Sequence, residues 1–208
     1  MKAKIALTLV LVLILLASIA FAKTVEPKWK EFGPLAGKTI HATISDYNAE
    51  TKTFTVTLYE YDRYDPEDTE GIAIGDSLLA GGYLYKINGL DQLDDTTVFL
   101  CDGGEEIYFG ESYDDDDNDL IARSTMDDRI FMHVVTVLHL PVAEGIVFED
   151  NSDPEKMEMD IIKGLDAILN VQAAKNEYSN GLNYYATKIS INDNLEIEKI
   201  HQDFDVAQ

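Results

Sequence analysis

Cysteine is almost missing from this chain: Cys101 is the only one, so no disulfide can form within it. A chain of this kind must rest on its hydrophobic core, or work where disulfides are not routinely made. Cys101 ends the run Thr97-Val98-Phe99-Leu100, which reads as a buried strand, and a thiol there behaves as a small hydrophobe. Basic residues are also scarce, with 16 Lys and Arg against 39 Asp and Glu and a formal net charge of −23. Such a charge excludes nucleic acid and anionic lipid as electrostatic partners, because both are polyanions. Apolar residues still make up 46% of the chain, so this is not the composition of a disordered polyanion.

Long apolar runs are absent except at the start. Met1–Ala22 opens with Lys2 and Lys4, continues through the apolar Ile5–Leu16, and ends in Ala20-Phe21-Ala22. That is the three-part layout of a secretory leader, with small residues at the two positions a leader peptidase inspects and a cut after Ala22. The other reading of this segment is a retained anchor, since Ile5–Ala22 is long enough to cross a thin bilayer. The expectation is a secreted or cell-envelope protein, extracytoplasmic and bacterial, that meets no membrane once the leader is removed.

Past the leader, residues 23–36 read as an N-terminal arm carrying Trp29 and Phe32, and residues 37–208 as one β-rich domain. Alternation dominates up to about residue 150. In Thr53–Tyr61, Phe54, Val56 and Leu58 take one parity while Thr55, Thr57, Tyr59 and Tyr61 take the other, the mark of a strand with one face on a core. Lys38–Ile44 pairs with it as the first hairpin, leaving His41 on the polar face. Gly81-Gly82 between Leu78-Leu79 and Tyr83-Leu84-Tyr85 predicts a two-residue turn in which both glycines take positive φ. Further strands are predicted at Thr97–Cys101, Glu106–Gly110, Leu120–Ser124, Arg129–Pro141 and Gly145–Glu149.

The period then changes. Ser152-Asp153-Pro154-Glu155 resembles a capping box, and Met157, Ile161, Leu165, Ile168 and Leu169 follow at helical spacing, predicting one amphipathic helix over about 154–170. Tyr184–Ile191 and Leu195–Ile200 form a C-terminal β-hairpin around Asn192-Asp193-Asn194. The fold class is mainly β (α+β). It is a small β-barrel or sandwich of antiparallel strands over 37–150, completed by the helix and hairpin of 151–208.

Catalytic motifs are the last scarcity. No H-E-x-x-H, C-x-x-C or glycine-rich phosphate loop occurs. Gly75-Asp76-Ser77-Leu78 resembles the opening block of the GDSL serine hydrolases, which would imply Ser77 as nucleophile and a histidine in a D-x-x-H block near the C-terminus. The residues three before His41, His133, His139 and His201 are Lys38, Ile130, Thr136 and Glu198, so no aspartate orients a base for Ser77. Gly75-Asp76 reads instead as turn chemistry feeding a strand. His133 and His139 share a parity, but six residues of strand place them about 20 Å apart, beyond the reach of one metal ion.

Two clusters remain. Tyr59, Tyr61, Asp62, Arg63, Tyr64 and Asp65 put phenol rings beside carboxylates and one guanidinium, a set able to stack on a sugar ring and accept its hydroxyls. Asp114, Asp115, Asp116, Asp117 and Asp119 repel one another, and a calcium ion would relieve that, though the EF-hand register fails at Asp119 and Thr125. The expectation is therefore an exported, non-enzymatic binding or interaction module that uses no cofactor. Its ligand would be an extracellular glycan or protein. The alternatives are a carbohydrate-active or other hydrolase using acidic residues in a cleft, or a weak calcium-binding protein. The calcium reading predicts a rise in melting temperature when the ion is added to millimolar concentration; an unchanged melting curve ends it.

Overall fold

A computed structural model describes residues 22–28, 33–112, 118–153, 155–156, 158–178, 182 and 186–203. Residues 1–21 of the leader, Trp29 and Phe32 of the arm, Asp114–Asp117, Pro154 and Met157 of the predicted helix, and Tyr184 of the predicted hairpin fall outside them. The strands are β1 (Thr24–Val25), β2 (Thr39–Asn48), β3 (Thr53–Tyr61), β4 (Arg63–Tyr64), β5 (Ser77–Ala80), β6 (Tyr83–Leu93) and β7 (Thr96–Cys101). They continue as β8 (Glu106–Glu111), β9 (Leu120–Ser124), β10 (Met132–Asn151), β11 (Asp160–Lys163), β12 (Thr187–Ile191) and β13 (Ile197–Asp203). A single turn, α1 (Pro66–Thr69), a 3-10 turn at Asp102–Gly104 and one longer helix, α2 (Leu165–Tyr178), complete the described elements. The protein is thus mostly β, in two sheets.

The first sheet runs β11-β10-β13-β12-β2-β3, and β10 also pairs with β3. Its ladders therefore form a closed circuit of five strands, β2-β3-β10-β13-β12 and back to β2. Alternation explains why. Ile40, Ala42 and Ile44 of β2 and Phe54, Val56 and Leu58 of β3 all turn inward and meet Leu140, Ile146 and Phe148 of β10. Ile189, Ile191, Ile197 and Ile200 of the last two strands join the same core, and Ile168 of α2 packs into it. Gln172 ties that helix to β2 by donating to the Ser45 carbonyl at 2.6 Å.

Residues 62–131 are inserted between β3 and β10 and, with β1 at one edge, build the second sheet, β1-β5-β6-β7-β8-β9-β4. It has its own core, in which Tyr64, Leu78, Ile87, Phe99, Ile107 and Phe131 are buried together. The β5–β6 turn is the glycine pair, with φ of +59° and +78° at Gly81 and Gly82. At Gly81 the positive φ favours glycine, and a methyl group there would lie 3.1 Å from Phe131 Cδ1, so the ring would have to give way as well.

Two predictions are corrected by the ladders. The strands expected at Arg129–Pro141 and Gly145–Glu149 are one 20-residue strand, β10, which pairs with β3 as far as Pro141 and with β13 from Val142. Proline has no N–H to give, and Gly145 takes φ +84°, so the strand changes neighbours there without breaking. The helix does not start at the Ser152 box. Residues 160–163 are held as β11 against Phe148 and its neighbours, and the helix begins at Leu165, after Gly164 turns the chain at φ +88°. Ser152 hydrogen-bonds Asp150 through both its amide and its hydroxyl, so its side chain caps no helix.

Between β3 and β10 the chain leaves the first sheet at Tyr61-Asp62 and returns to it at Phe131-Met132, and Asp62 holds both of these crossings. Its amide donates to Phe131 O at 3.0 Å, and one carboxylate oxygen contacts His133 Nδ1 at 2.8 Å. The other oxygen accepts the Gly81 amide of the β5–β6 turn. The Asp62 side chain is only 1% exposed and that of His133 15%. Removing one partner from so buried a pair strands the other, so His133→Ala is expected to cost about 3 kcal/mol in urea unfolding. A loss below about 1 kcal/mol would mean that Asp62 does not depend on the imidazole.

Candidate functional site

The outer face of β2, β3 and β10 is built by the residues that do not fill the core. Because Phe54, Val56 and Leu58 point inward, Thr53, Thr55, Thr57, Tyr59 and Tyr61 of β3 point outward. On β2 the same logic turns out Thr39, His41 and Thr43. A bulge in β10 between Val134 and Thr136 adds one residue and shifts the phase, so that Val134 and Val137 both face solvent, each 56% exposed.

Register then sets these residues in rows. Tyr59 lies between His41 and Val134, and Thr57 lies between Thr43 and Val137. Thr55 faces His139, whose Nδ1 is 3.2 Å from its hydroxyl, and the Ser45 hydroxyl donates to the Thr55 carbonyl at 3.3 Å. His41 Nε2 and the Tyr61 hydroxyl are 2.9 Å apart with their rings edge to face, and the Thr43 hydroxyl donates to the Tyr59 phenol oxygen at 3.4 Å. The Arg63 guanidinium covers the Tyr61 ring at 5.6 Å. No outward position named in these rows is Asp or Glu, although the chain carries 39 of them. The face offers phenols, hydroxyls, imidazoles and two apolar side chains, already oriented by bonds to one another.

The six residues singled out from the sequence do not form one surface. Tyr59 and Tyr61 are half-buried on the outer face, whereas Asp62, Arg63 and Tyr64 are interior. Asp62 is the clamp between the crossings. Arg63 donates to the Ser112 hydroxyl at 2.7 Å and lies 3.7 Å from Glu60. Tyr64 donates its hydroxyl to the Leu79 carbonyl at 2.6 Å. Burial, and next the negative charge of Asp62, push the Tyr64 phenol far above its ordinary range. Asp65 pairs with Lys28 near the surface.

Of the acidic run, Asp119 is 8% exposed and 3.7 Å from Lys28 Nζ, and Asp114, Asp115, Asp116 and Asp117 lie outside the described residues. Among the described residues no three His, Cys, Asp or Glu side chains converge as a metal set. Asp76 proves to be a turn residue, its two oxygens accepting the amides of Lys23 and Ala73. Ser77 opens β5 across from Lys86. His133 and His139 come to opposite faces, paired across from Glu60 and Thr55, because of the bulge between them.

Open grooves among the described residues lie elsewhere, and two of them are well formed. One of about 390 Å³ is lined by Ile72, Phe99 and Phe109 with Glu70 and Asp95 at its rim. The other, about 400 Å³, lies along β10 and β13, and its Glu149 is taken up by Lys199 at 3.2 Å and His201 at 3.2 Å. Sequence reasoning missed His41, Thr43, Val134 and Val137 as parts of the face, since only cross-strand register brings them to Tyr59. No family model matches this sequence, and neither a curated protein nor a solved structure matches it.

Cys101 is 7% exposed, and burial, followed by the charges of Asp102 and Glu105, pushes its thiol up to about 11. So little thiolate at pH 8 predicts labelling by a maleimide about 100-fold slower in the native protein than in urea. Equal rates would show the thiol to be open and reactive.

Proposed function

We propose that this is an exported, non-enzymatic binding module that holds a neutral glycan on the outer face of β2, β3 and β10. The observation that carries the reading is the missing carboxylate. A chain with a net charge of −23 surrounds itself with a negative field, yet none of the outward residues named in the rows around Tyr59 and Tyr61 is Asp or Glu. A neutral sugar meets no carboxylate at those named positions that must lose its hydration on contact, while phenol rings and threonine hydroxyls supply stacking and hydrogen bonds. The circuit of ladders supports the reading: five-stranded Greek-key barrels carry oligosaccharides or oligonucleotides on the face of their second and third strands, and β3 and β10 are the second and third strands of this circuit in chain order. The bonds of Tyr61 to His41 and of Thr43 to Tyr59 orient the face before a ligand arrives, which lowers the ordering cost of binding.

A second reading, a hydrolase, draws on the groove with Glu70 and Asp95 on its rim and Phe99 and Phe109 along its floor. One experiment separates the two. A panel of neutral oligosaccharides is titrated while backbone NMR shifts are followed, and the same mixtures are checked for cleavage. Shifts at Tyr59, Tyr61 and Thr57 without cleavage are expected, and Tyr59→Ala should weaken binding about 2- to 10-fold. Cleavage abolished by Glu70→Gln would replace this reading with the enzyme.

A further inference from the structure

Asp76 turns both of its carboxylate oxygens to backbone nitrogens, one of them that of Lys23. Lys23 follows directly on Ala20-Phe21-Ala22, so a cut after Ala22 makes it the first residue. In the fold, the backbone nitrogen of Lys23 stands 2.7 Å from Asp76 Oδ1. The second oxygen, Oδ2, is fixed by the Ala73 amide at 2.9 Å, which aims the carboxylate. The Lys23 carbonyl accepts the Ser77 amide at 2.8 Å, and Thr24 and Val25 continue as β1 in parallel register with Ser77 and Leu78. Val25 is 1% exposed in the second core. The Lys23 side chain reaches back to the end of α1, donating to the Asp68 carbonyl at 2.5 Å and the Glu70 carbonyl at 3.4 Å.

We infer that removal of the leader after Ala22 releases an α-ammonium group on Lys23 that forms an ion pair with Asp76 and locks β1 onto the edge of the second sheet. The inference rests on the reading of residues 1–22 as a cleaved leader. The chemistry is hydrolysis of one peptide bond by a leader peptidase. Water adds across the Ala22–Lys23 amide, Ala22 leaves with the leader as a carboxylate, and the Lys23 nitrogen takes up protons to become –NH3+. Before the cut this nitrogen is an amide with one neutral N–H for Asp76. After it, three donors and a full charge face the same oxygen, and a charge-assisted bond is roughly twice as strong. The precursor is therefore less stable than its product, and the last gain in stability arrives only after export.

Mass spectrometry of the product from an exporting host reads the first residue. Lys23 is expected, and any other start removes the premise and with it the proposal. The ion pair is tested separately on two purified forms, one beginning at Lys23 and one retaining Phe21-Ala22, each with native Asp76 and with Asp76→Asn. The Lys23 form should melt on the order of 3–6 °C above the form retaining Phe21-Ala22. Asp76→Asn should lower the Lys23 form more than the extended one.

The difference between the two native forms should also fade with rising pH. The pair with Asp76 raises the folded-state pKa of the ammonium, so its stabilisation is fully present below about 7.7–8.0 and is lost as the pH climbs through the folded value. The groups facing this nitrogen are Asp76 at the entry to β5, the Lys23 side chain held at Asp68 and Glu70, and Lys86, the cross-strand partner of Ser77. All of them are present in both forms, so the difference isolates the terminus. Equal melting temperatures for the two native forms would overturn the proposal, and that comparison stands even if Asp76→Asn does not fold.

Discussion

The structure hangs on a carboxylate that water does not reach. Asp62 sits where the chain leaves one core for the other, and it grips both crossings and the glycine turn of β5–β6 at once. Most acids of this chain face solvent, where their charge keeps molecules apart. Asp62 is different because it is buried, and its oxygens are filled by an imidazole and an amide. A hydrophobic residue of the same size could fill the space, but it could not specify which turn and which strand meet there. The contribution of the pair is register at the join, more than net stability.

What the sequence disclosed follows from what is local. The β2–β3 hairpin, the Gly81-Gly82 turn and β9 at Leu120–Ser124 came out as read, because alternation and positive-φ glycines are decided within a few residues. The continuity of β10 was not legible, since Pro141 and Gly145 break a strand in any local reading and only a change of neighbour explains their survival. The helix start failed for the same reason. Ser152-Asp153-Pro154-Glu155 satisfies every local rule for a cap, and the ladder of β11 on β10, invisible to a local reading, overrides it.

The stretch Tyr59–Asp65 shows how far composition misleads at a junction. Tyrosines, acids and an arginine in a row suggested one polar surface, yet the row spans the end of β3, the crossing and β4. Past Tyr61 the chain enters a second core, so Asp62, Arg63 and Tyr64 are interior there while Tyr59 and Tyr61 stay on the outer face of the first sheet. The neighbours that matter to Tyr59 are His41 and Val134, eighteen and seventy-five positions away in the chain but adjacent in the ladders. A single uncounted residue, the bulge after Val134, also reversed the face of His133 and delivered it to Asp62.

Charge ties these elements together. A protein this acidic needs somewhere to be neutral if it is to hold anything uncharged closely, because carboxylates bind their hydration tightly and release it at high cost. Alternation alone would scatter acids over every outer face, and the grooves along Glu70 and along Glu149 illustrate that outcome. The rows that join His41, Tyr59 and Val134, and Thr43, Thr57 and Val137, depart from it, with threonine, tyrosine, histidine and valine side by side. Core packing does not dictate that choice, since the inward residues are satisfied whatever the outward ones are. Solubility does not dictate it either, since carboxylates there would serve better. The remaining physical demand on such a face is contact, and contact with something that an array of negative charges would hold off.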